Sequence, residues 1–310
     1  MSAILVGAVE SSRIALEVMA RVPQCDLKAV VTLAPHLAHR HSDAVDMAAA
    51  ARALDVPVIA VENVNARDAL VRIAEVQADH IFVIGWSQIC GPEFRALAPG
   101  GVIGYHPAAL PRLRGRGVIP WTIVNREPIT AGSLFWIDDG VDTGPILDQH
   151  YFHLSPREDA ASLYRKHVRA LEIMLHRSLP LIAAGTAPRI PQDESCATFC
   201  ARRTDADGEI DWAAPSSDVL RLIRAATRPY PGAFTANGTG RIRIWAAEPT
   251  RGGDGGHLAA PGQIVARGNN GFTVRCGDGG LVEVTEWSNE SGKMPALHSR
   301  LHGEPCGTTQ

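Results

Sequence analysis

Short apolar runs alternate with segments of helical periodicity through the N-terminal part of the chain. The runs cover residues 3–7, 27–33, 57–61, 79–85 and 101–105, and helical patterns near residues 14–19, 43–54 and 66–76 separate them. Runs without polar alternation are typical of strands that are buried on both faces, and parallel strands need long, usually helical, connections. The alternation therefore predicts an α/β fold with a doubly wound, mostly parallel sheet.

The pattern changes beyond residue 205. A helix is predicted at 216–226, followed by short strands at 241–245, 262–265, 272–275 and 281–285 with Gly-rich turns between them. Several short strands of this kind favour a small β-barrel. We expect three regions: a first domain over 1–204, a second over 205–290, and a polar, Gly-containing tail over 291–310 that is disordered.

Composition limits the possible functions. A net charge of −3 and a pI near 6.5 argue against a strongly basic nucleic-acid platform. No run approaches the roughly 18 apolar residues of a membrane span, and the N-terminal residues do not resemble a signal peptide.

The six cysteines form no Cys-x-x-Cys pair, so we expect reduced thiols in a cytoplasmic protein. The His-rich loop 35–42 lacks interleaved Cys or carboxylate ligands, so a solvated loop is favoured and no metal is expected.

Candidate catalytic side chains follow two of the predicted strands. His106 ends the run 101–105 and is followed by Pro107, while a second strand over 131–137 leads to the acidic turn that contains Asp142. A histidine and a carboxylate on adjacent strand ends could form an acid/base couple. A histidine after a strand is more often a packed or surface residue, and an Asp-Asp-Gly turn is usually only a turn. The two residues alone therefore leave both interpretations open.

The ordered string of residues around them is far more specific. His106-Pro107 is followed by a Leu-Pro-x-x-Arg-Gly loop (110–115) and by Asp138-x-Gly140-x-Asp142-x-Gly144. This string resembles the core of the folate-dependent formyltransferase family in order and in spacing. The second half resembles the OB-like domain of methionyl-tRNA formyltransferase, and 202–207 resembles the formyltransferase acting on UDP-4-amino-4-deoxy-arabinose.

The resemblance implies a co-substrate and roles for residues. It implies that 10-formyltetrahydrofolate binds near Trp86, Ser87, Gln88 and Ile89, largely through the backbone, and near Asp138, Asp139 and Gly140. His106 would hydrogen-bond the oxyanion or give it a proton, and Asp142 would orient His106 and accept the proton of the attacking amine. The acceptor would be a small amine, first of all on a nucleotide-linked amino sugar.

One position departs from the family pattern. Gly104 stands where the family usually has Asn, a residue thought to hydrogen-bond the formyl oxygen. Loss of one such donor typically costs about a hundred- to a thousandfold in rate. A transferase would need a substitute donor, such as His106, a backbone N–H or Tyr105, whereas a hydrolase would admit water to the vacated space.

Three alternatives to a small-molecule transferase remain. The hydrolase domain of 10-formyltetrahydrofolate dehydrogenase shares the sequence Tyr-His-Pro and lacks the same Asn, so water is a possible acceptor. Transfer to methionyl-tRNA is less favoured, because the loop 34–43 is short and carries Arg40 as its only Lys or Arg. A non-catalytic folate-binding module is the third alternative.

Overall fold

A computed structural model of the protein describes residues 1–40, 43–237, 240–250 and 258–302. The chain divides into two compact units. The first comprises Met1–Val118, Pro128–Leu154 and Tyr164–Ala201, and the second comprises Ile119–Glu127, Ser155–Leu163 and Arg202–Gln310. The segments Ile119–Glu127 and Ser155–Leu163 thus group with the second unit, although the sequence prediction placed all of residues 1–204 in the first domain.

The first unit is built on a seven-stranded sheet. Its strands are β1 Ser2–Val6, β2 Asp26–Leu33, β3 Val58–Val61, β4 His80–Val83, β5 Gly101–His106, β7 Ile129–Trp136 and β8 Ile146–His153, and a short β6 Arg114–Gly115 pairs separately with β9 Phe199–Cys200. The order is β3-β2-β1-β4-β5-β7-β8, parallel from β3 to β5 and antiparallel at β7 and β8. The predicted doubly wound, mostly parallel sheet is confirmed.

Helices cover both faces of this sheet. They are α1 Glu10–Met19, α2 Met47–Arg52, α3 Arg67–Ala74, α4 Pro92–Arg95 and the long α6 Ala160–Ala183. One apolar cluster joins α1, α2 and α6 to one sheet face, and a second joins α3 and α4 to the other. The predicted helix over 43–54 is shorter in the structure, because the carboxylate of Asp46 accepts the N–H of Ala49 at 2.8 Å and caps the helix there.

The second unit contains α5 Val118–Val124, α7 Ser216–Ala226 and an antiparallel sheet. The strands are β10 Ala233–Asn237, β11 Gly240–Pro249, β12 Ile264–Arg267, β13 Phe272–Arg275 and β14 Leu281–Asn289, in the order β10-β11-β14-β13-β12. Helix α7 places Val219, Leu220 and Ile223 in the core of this sheet. The predicted small β domain is confirmed as five antiparallel strands.

The expectation of a disordered tail from residue 291 is wrong for its first part. Residues 298–302 lie between the two edge strands of the second sheet: the N–H of Ala236 donates to the His302 carbonyl at 2.8 Å, and the N–H of Ile264 donates to the Ser299 carbonyl at 3.0 Å. Leu301 is 2% exposed and belongs to the core. The polar composition of the tail did not indicate that Leu301 would be buried. Residues 303–310 lie outside the described part of the chain.

Candidate active site

Strand β5 presents different side chains to the two faces of the first sheet. Side chains alternate along a strand, so Val102, Gly104 and His106 share one face while Ile103 and Tyr105 share the other. The face of His106 is the one covered by α3 and α4. The candidate active site is therefore built on this face, at the end of β5.

His106 is 5% exposed, and its two ring nitrogens meet different oxygen atoms. Its Nε2 lies 2.7 Å from the carbonyl oxygen of Leu113. Because a carbonyl oxygen only accepts, Nε2 carries a proton in this arrangement. Its Nδ1 lies 3.4 Å from Oδ2 of Asp142, beyond the usual N–O hydrogen-bond distance. Nδ1 is thus the nitrogen that is free to take part in proton transfer next to a carboxylate.

Asp142 reaches His106 by a different route from the predicted one. The sequence placed the two residues on adjacent strand ends, but β7 runs antiparallel to β5 and its last residue, Trp136, pairs with Ile103. The end of β7 is therefore near the start of β5, and the following loop returns over the sheet face. Asp142 lies in this loop with a left-handed φ of 56°, and its Oδ2 accepts the N–H of Gly115 at 2.8 Å.

The space in front of Gly104 is occupied by apolar side chains. A Cβ at this position would lie 2.8 and 2.9 Å from ring carbons of Phe135 and 3.1 Å from Ile137. Phe135 pairs with Gly104 across the strands and is 5% exposed. The expectation of a vacancy at Gly104 is wrong, because the cross-strand neighbour is a ring large enough to fill the space.

The acidic turn before Asp142 is shaped by its own side chains. Oδ1 of Asp138 accepts the N–H of Gly140 at 3.1 Å and the hydroxyl of Thr143 at 2.6 Å. A Cβ at Gly140 would lie 2.0 Å from the Thr143 hydroxyl, so any larger residue would displace the Thr143 side chain from Asp138. Asp139 is exposed and pairs with Arg95. Asp138 and Gly140 thus define the turn, and only Asp139 reaches a neighbouring element.

The segment Trp86 to Ile89 follows β4 and has mixed surroundings. The side chain of Gln88 is used structurally: its amide donates to the Glu62 carbonyl at 2.7 Å and its oxygen accepts the N–H of Val64 at 2.9 Å. Trp86 packs against Leu33 and Leu37. Ser87 is exposed, and Ile89 is 75% exposed. A co-substrate at this segment would meet backbone groups and the side chain of Ile89 rather than the amide of Gln88.

Arg95 connects the two predicted co-substrate segments, which the sequence did not reveal. One guanidinium nitrogen donates to the Cys90 carbonyl at 2.8 Å and another pairs with the carboxylate of Asp139. The loop after β4 and the loop after β7 are therefore joined across the face of the sheet. No motif contains Arg95, and the sequence analysis predicted no element at 92–95, so Arg95 carried no sequence signal.

The Leu-Pro loop after His106 is fixed by residues of β7 and β8. The hydroxyl of Ser133 donates to the Ala108 carbonyl at 2.6 Å, and the amide of Gln149 donates to the Leu110 carbonyl at 2.9 Å and to Ser133 at 2.8 Å. Ser133 belongs to β7 and matches no motif. Gln149 was missed because β8 was not predicted: it reads Ile-Leu-Asp-Gln-His-Tyr-Phe-His, without a sustained apolar run.

Tyr105 turns away from this site to the other face. Its hydroxyl donates to the His167 carbonyl at 3.0 Å and lies 3.2 Å from Nδ1 of His167. His167 is 2% exposed, and its Nε2 has no hydrogen-bond partner among the described residues. Burial, with a smaller contribution from His106, lowers the pKa of His167 to about 3. The hypothesis that Tyr105 replaces the missing Asn is therefore wrong, because its hydroxyl lies on the opposite face.

The described residues contain no group of three or more His, Cys, Asp or Glu side chains placed to hold a metal ion. In the His-rich loop, His36 pairs with Glu62 at 3.3 Å; residues 41 and 42 lie outside the described part. In the part of the chain that the structure describes, the cysteines at positions 25, 90, 196, 200 and 276 form no disulfide, and Cys306 lies outside that part. Within the same described ranges, no helix has both the length and the apolar character needed to cross a bilayer.

Two family models match the sequence. The model for formyl transferase matches residues 15–179, and the model for the formyl transferase C-terminal domain matches residues 203–305. The two matches correspond closely to the two halves of the chain that carry the parallel and the antiparallel sheet.

Solved structures share the fold at low identity. WlaRD, a sugar 3N-formyltransferase solved in the presence of dTDP and 5-N-formyl-THF, matches with a TM-score of 0.67 and 17% identity over 92% of this chain and 97% of that chain. An N-formyltransferase from Helicobacter canadensis, solved with folinic acid and dTDP-3-aminofucose, matches with a TM-score of 0.66 and 17% identity over 91% and 98%. Methionyl-tRNA formyltransferase from Clostridium thermocellum gives a TM-score of 0.59 and 18% identity over 81% and 95%.

Proposed function

Because this chain belongs to the formyl transferase family and is a folate-dependent formyltransferase, we propose that it moves the formyl group of 10-formyltetrahydrofolate to an amine of a small molecule. The observation that carries this proposal is the pair formed by His106, which is buried at the end of β5, and Asp142, which is partly exposed in the loop after β7. The first candidate acceptor is an amino sugar linked to a nucleotide, and a cytoplasmic location fits this chemistry.

The geometry of His106 suggests how the proton moves. With Nε2 protonated and directed at the Leu113 carbonyl, a neutral ring has its lone pair on Nδ1, next to Asp142. As the amine attacks the formyl carbon, the His106–Asp142 pair accepts its proton. The tetrahedral intermediate then collapses, the bond between the formyl carbon and N10 breaks, and the same proton passes to N10. The products are the N-formyl amine and tetrahydrofolate, so atoms and charge balance.

The loops that Arg95 joins are the proposed place for the folate. Trp86, Ser87, Gln88 and Ile89 would contact it mainly through backbone groups, because the Gln88 amide is already bonded to residues 62 and 64. Asp138, Asp139 and Gly140 would form the opposite side. In this arrangement, the carboxylate of Asp138 fixes the shape of the turn and does not contact the folate.

A cavity of the first unit lies beside α2, which covers the sheet face opposite to that of His106. It has a volume of about 320 Å³ and lies where β1, β2 and β3 end, next to the start of α2. Thr32 and Asp46 are the polar side chains in a lining that also includes Ala8, Leu33, Pro35 and Val45. Strands lie about 4.8 Å apart, so the end of β1 is two strands, or about 10 Å, from the end of β5. Because the cavity and His106 lie on opposite faces of the sheet, the cavity by itself favours no particular acceptor.

The apolar surroundings of Gly104 argue against water as the acceptor. Phe135 and Ile137 fill the space that the hydrolase alternative reserved for water. They also leave no side-chain donor at the position of the family's Asn, so the oxyanion would depend on backbone N–H groups and on Nδ1 of His106 once it has taken the proton of the amine.

Release of tetrahydrofolate tests the proposal directly. Purified protein is mixed with 10-formyltetrahydrofolate alone, then with each member of a panel of amines that includes dTDP- and UDP-linked amino sugars, free amino sugars and methionyl-tRNA. We expect little release without an amine and fast release with one small amine, together with its N-formyl product. Equal release of tetrahydrofolate without any amine would favour a hydrolase. Formylation of methionyl-tRNA would favour a methionyl-tRNA formyltransferase. Binding of folate without release of tetrahydrofolate would favour a non-catalytic folate-binding module.

A further inference from the structure

The segment 188–200, which contains Pro and many polar residues, is attached to the candidate active site. The N–H of Ile146 donates to the Ile190 carbonyl at 2.7 Å, and the N–H of Arg114 donates to the Thr198 carbonyl at 2.9 Å. The hydroxyl of Thr198 accepts the N–H of Leu113 at 2.9 Å. Leu113 is the residue whose carbonyl binds His106, so this segment lies against both catalytic loops.

Gln192 uses its whole hydrogen-bonding capacity within this segment. Its amide group donates to the carbonyls of Asp142 at 2.8 Å and Gly144 at 2.7 Å. Its oxygen accepts Nε of Arg114 at 3.2 Å and a terminal guanidinium nitrogen at 2.8 Å. A glutamine has two donors and two acceptor sites, and here all four are used.

Arg114 anchors this glutamine. It is 0% exposed, and its remaining edge forms a bidentate pair with Glu194 at 2.6 and 2.8 Å. The hydrogen bonds with Glu194 raise the pKa of the guanidinium. A buried guanidinium with bonds on both edges has one position, so it fixes where Gln192 lies.

Asp142 needs such support because its backbone is in the left-handed region, with a φ of 56°. This conformation is unfavourable for a non-glycine residue and persists only when the surroundings enforce it. We propose that Gln192 is a positioning residue: it holds the backbone of Asp142, while the N–H of Gly115 holds its carboxylate, so that Asp142 stays next to Nδ1 of His106. This inference rests on the proposed function, because it assumes that Asp142 takes part in the proton transfer.

A double-mutant cycle tests the inference. We expect Gln192→Ala to lower kcat about tenfold or more, with a smaller change in the KM for 10-formyltetrahydrofolate. Combined with Asp142→Asn, it should cause little further loss, because a residue that acts only through Asp142 has nothing left to position. Gln192→Glu keeps the size and the acceptor for Arg114 but loses both donors, so it should be as slow as the alanine variant at neutral pH.

Gln263 provides a matched control in the second unit. Its oxygen accepts the N–H of Ala260 at 3.0 Å and its amide donates to the His298 carbonyl at 3.2 Å. Gln263→Ala therefore also removes bonds between a glutamine and the backbone, and we expect kcat to be unchanged.

Four results would overturn the inference. They are wild-type kcat in Gln192→Ala, wild-type kcat in Gln192→Glu, a loss on Gln192→Ala that is just as large in the Asp142→Asn background, and a kcat loss of the same size in Gln263→Ala. The third shows that Gln192 does not act through Asp142 even though Asp142 is catalytic. If Asp142→Asn itself keeps wild-type kcat, the proposed function of the pair fails as well, so the two failures are distinguished. Should Gln192→Ala not fold, Gln192→Glu decides the question.

Discussion

His106 and His167 are both buried histidines of the first unit, but their surroundings differ. The two nitrogens of His106 face the Leu113 carbonyl and the carboxylate of Asp142. One nitrogen of His167 meets the hydroxyl of Tyr105, and the other has no partner in the described part of the chain. Burial lowers the pKa of His167 to about 3, so it stays neutral at physiological pH. Burial alone therefore does not create a group for proton transfer; the acceptors around the ring do.

The largest expected effect separates the two histidines by activity. His106→Ala should lower turnover at least about a hundredfold, the usual scale for an acid/base or oxyanion group. His167→Gln should change turnover only slightly, because its ring touches Tyr105 on the opposite sheet face. Steady-state kcat for tetrahydrofolate release, with the amine acceptor present, measures both. Equal losses of kcat in His106→Ala and His167→Gln would contradict a catalytic role that belongs to His106 and not to His167.

Asp142→Asn should lower turnover about a hundredfold with the fold intact. The amide oxygen can still accept the N–H of Gly115, which bonds to Asp142 at 2.8 Å, so the loop keeps its shape. The amide cannot accept a proton. kcat and the thermal unfolding midpoint should be measured on the same preparation. Full activity at neutral pH would make Asp142 a turn residue, and His106 would then lack a catalytic partner.

Gly104→Asn tests whether Phe135 and Ile137 fill the space in front of Gly104. Because a Cβ would lie 2.8 Å from the Phe135 ring, we expect a loss of about 1–3 kcal/mol in the free energy of unfolding, as for overpacked cores. Denaturant unfolding measures it. Gly104→Asn combined with Phe135→Leu, which shortens the facing side chain, should recover part of the loss. Wild-type stability in Gly104→Asn would show that Phe135 yields easily and that the space can accept the family's side chain.

The smallest effect concerns His167 and pH. The ordinary pKa of 6.5 applies to the unfolded chain and a pKa of about 3 to the folded chain, so below pH 6.5 the unfolded state binds a proton that the folded state does not. The contribution of His167 to stability is complete above pH 6.5 and falls by about 1.4 kcal/mol per pH unit as the pH drops toward 3. His167→Gln removes this titration. Between pH 7.5 and pH 5, the variant should lose about 2 kcal/mol less than the wild type in denaturant unfolding. Identical losses would contradict the buried, neutral state of His167.

The sequence predicted much of the sheet and the catalytic pair for identifiable reasons. Strands β1 to β5 are apolar runs at regular intervals, so their existence could be inferred from local pattern. β8 was missed, because this edge strand carries three consecutive polar residues, Asp148, Gln149 and His150, which interrupt its apolar pattern. His106 and Asp142 were found through motif order, yet their meeting depends on a loop that returns over the sheet, since β7 is antiparallel to β5.

The sequence by itself determined the order of the strands β1 to β5 with the helices between them, and the family string around His106 and Asp142. Tertiary structure alone decided that Phe135 fills the space at Gly104, that Gln192 holds Asp142, and that Leu301 belongs to the core of the second sheet. Periodicity and turn chemistry are encoded over a few neighbouring residues. Contacts between positions 104 and 135, or 142 and 192, depend on strand register and on the path of long loops, which no local pattern specifies.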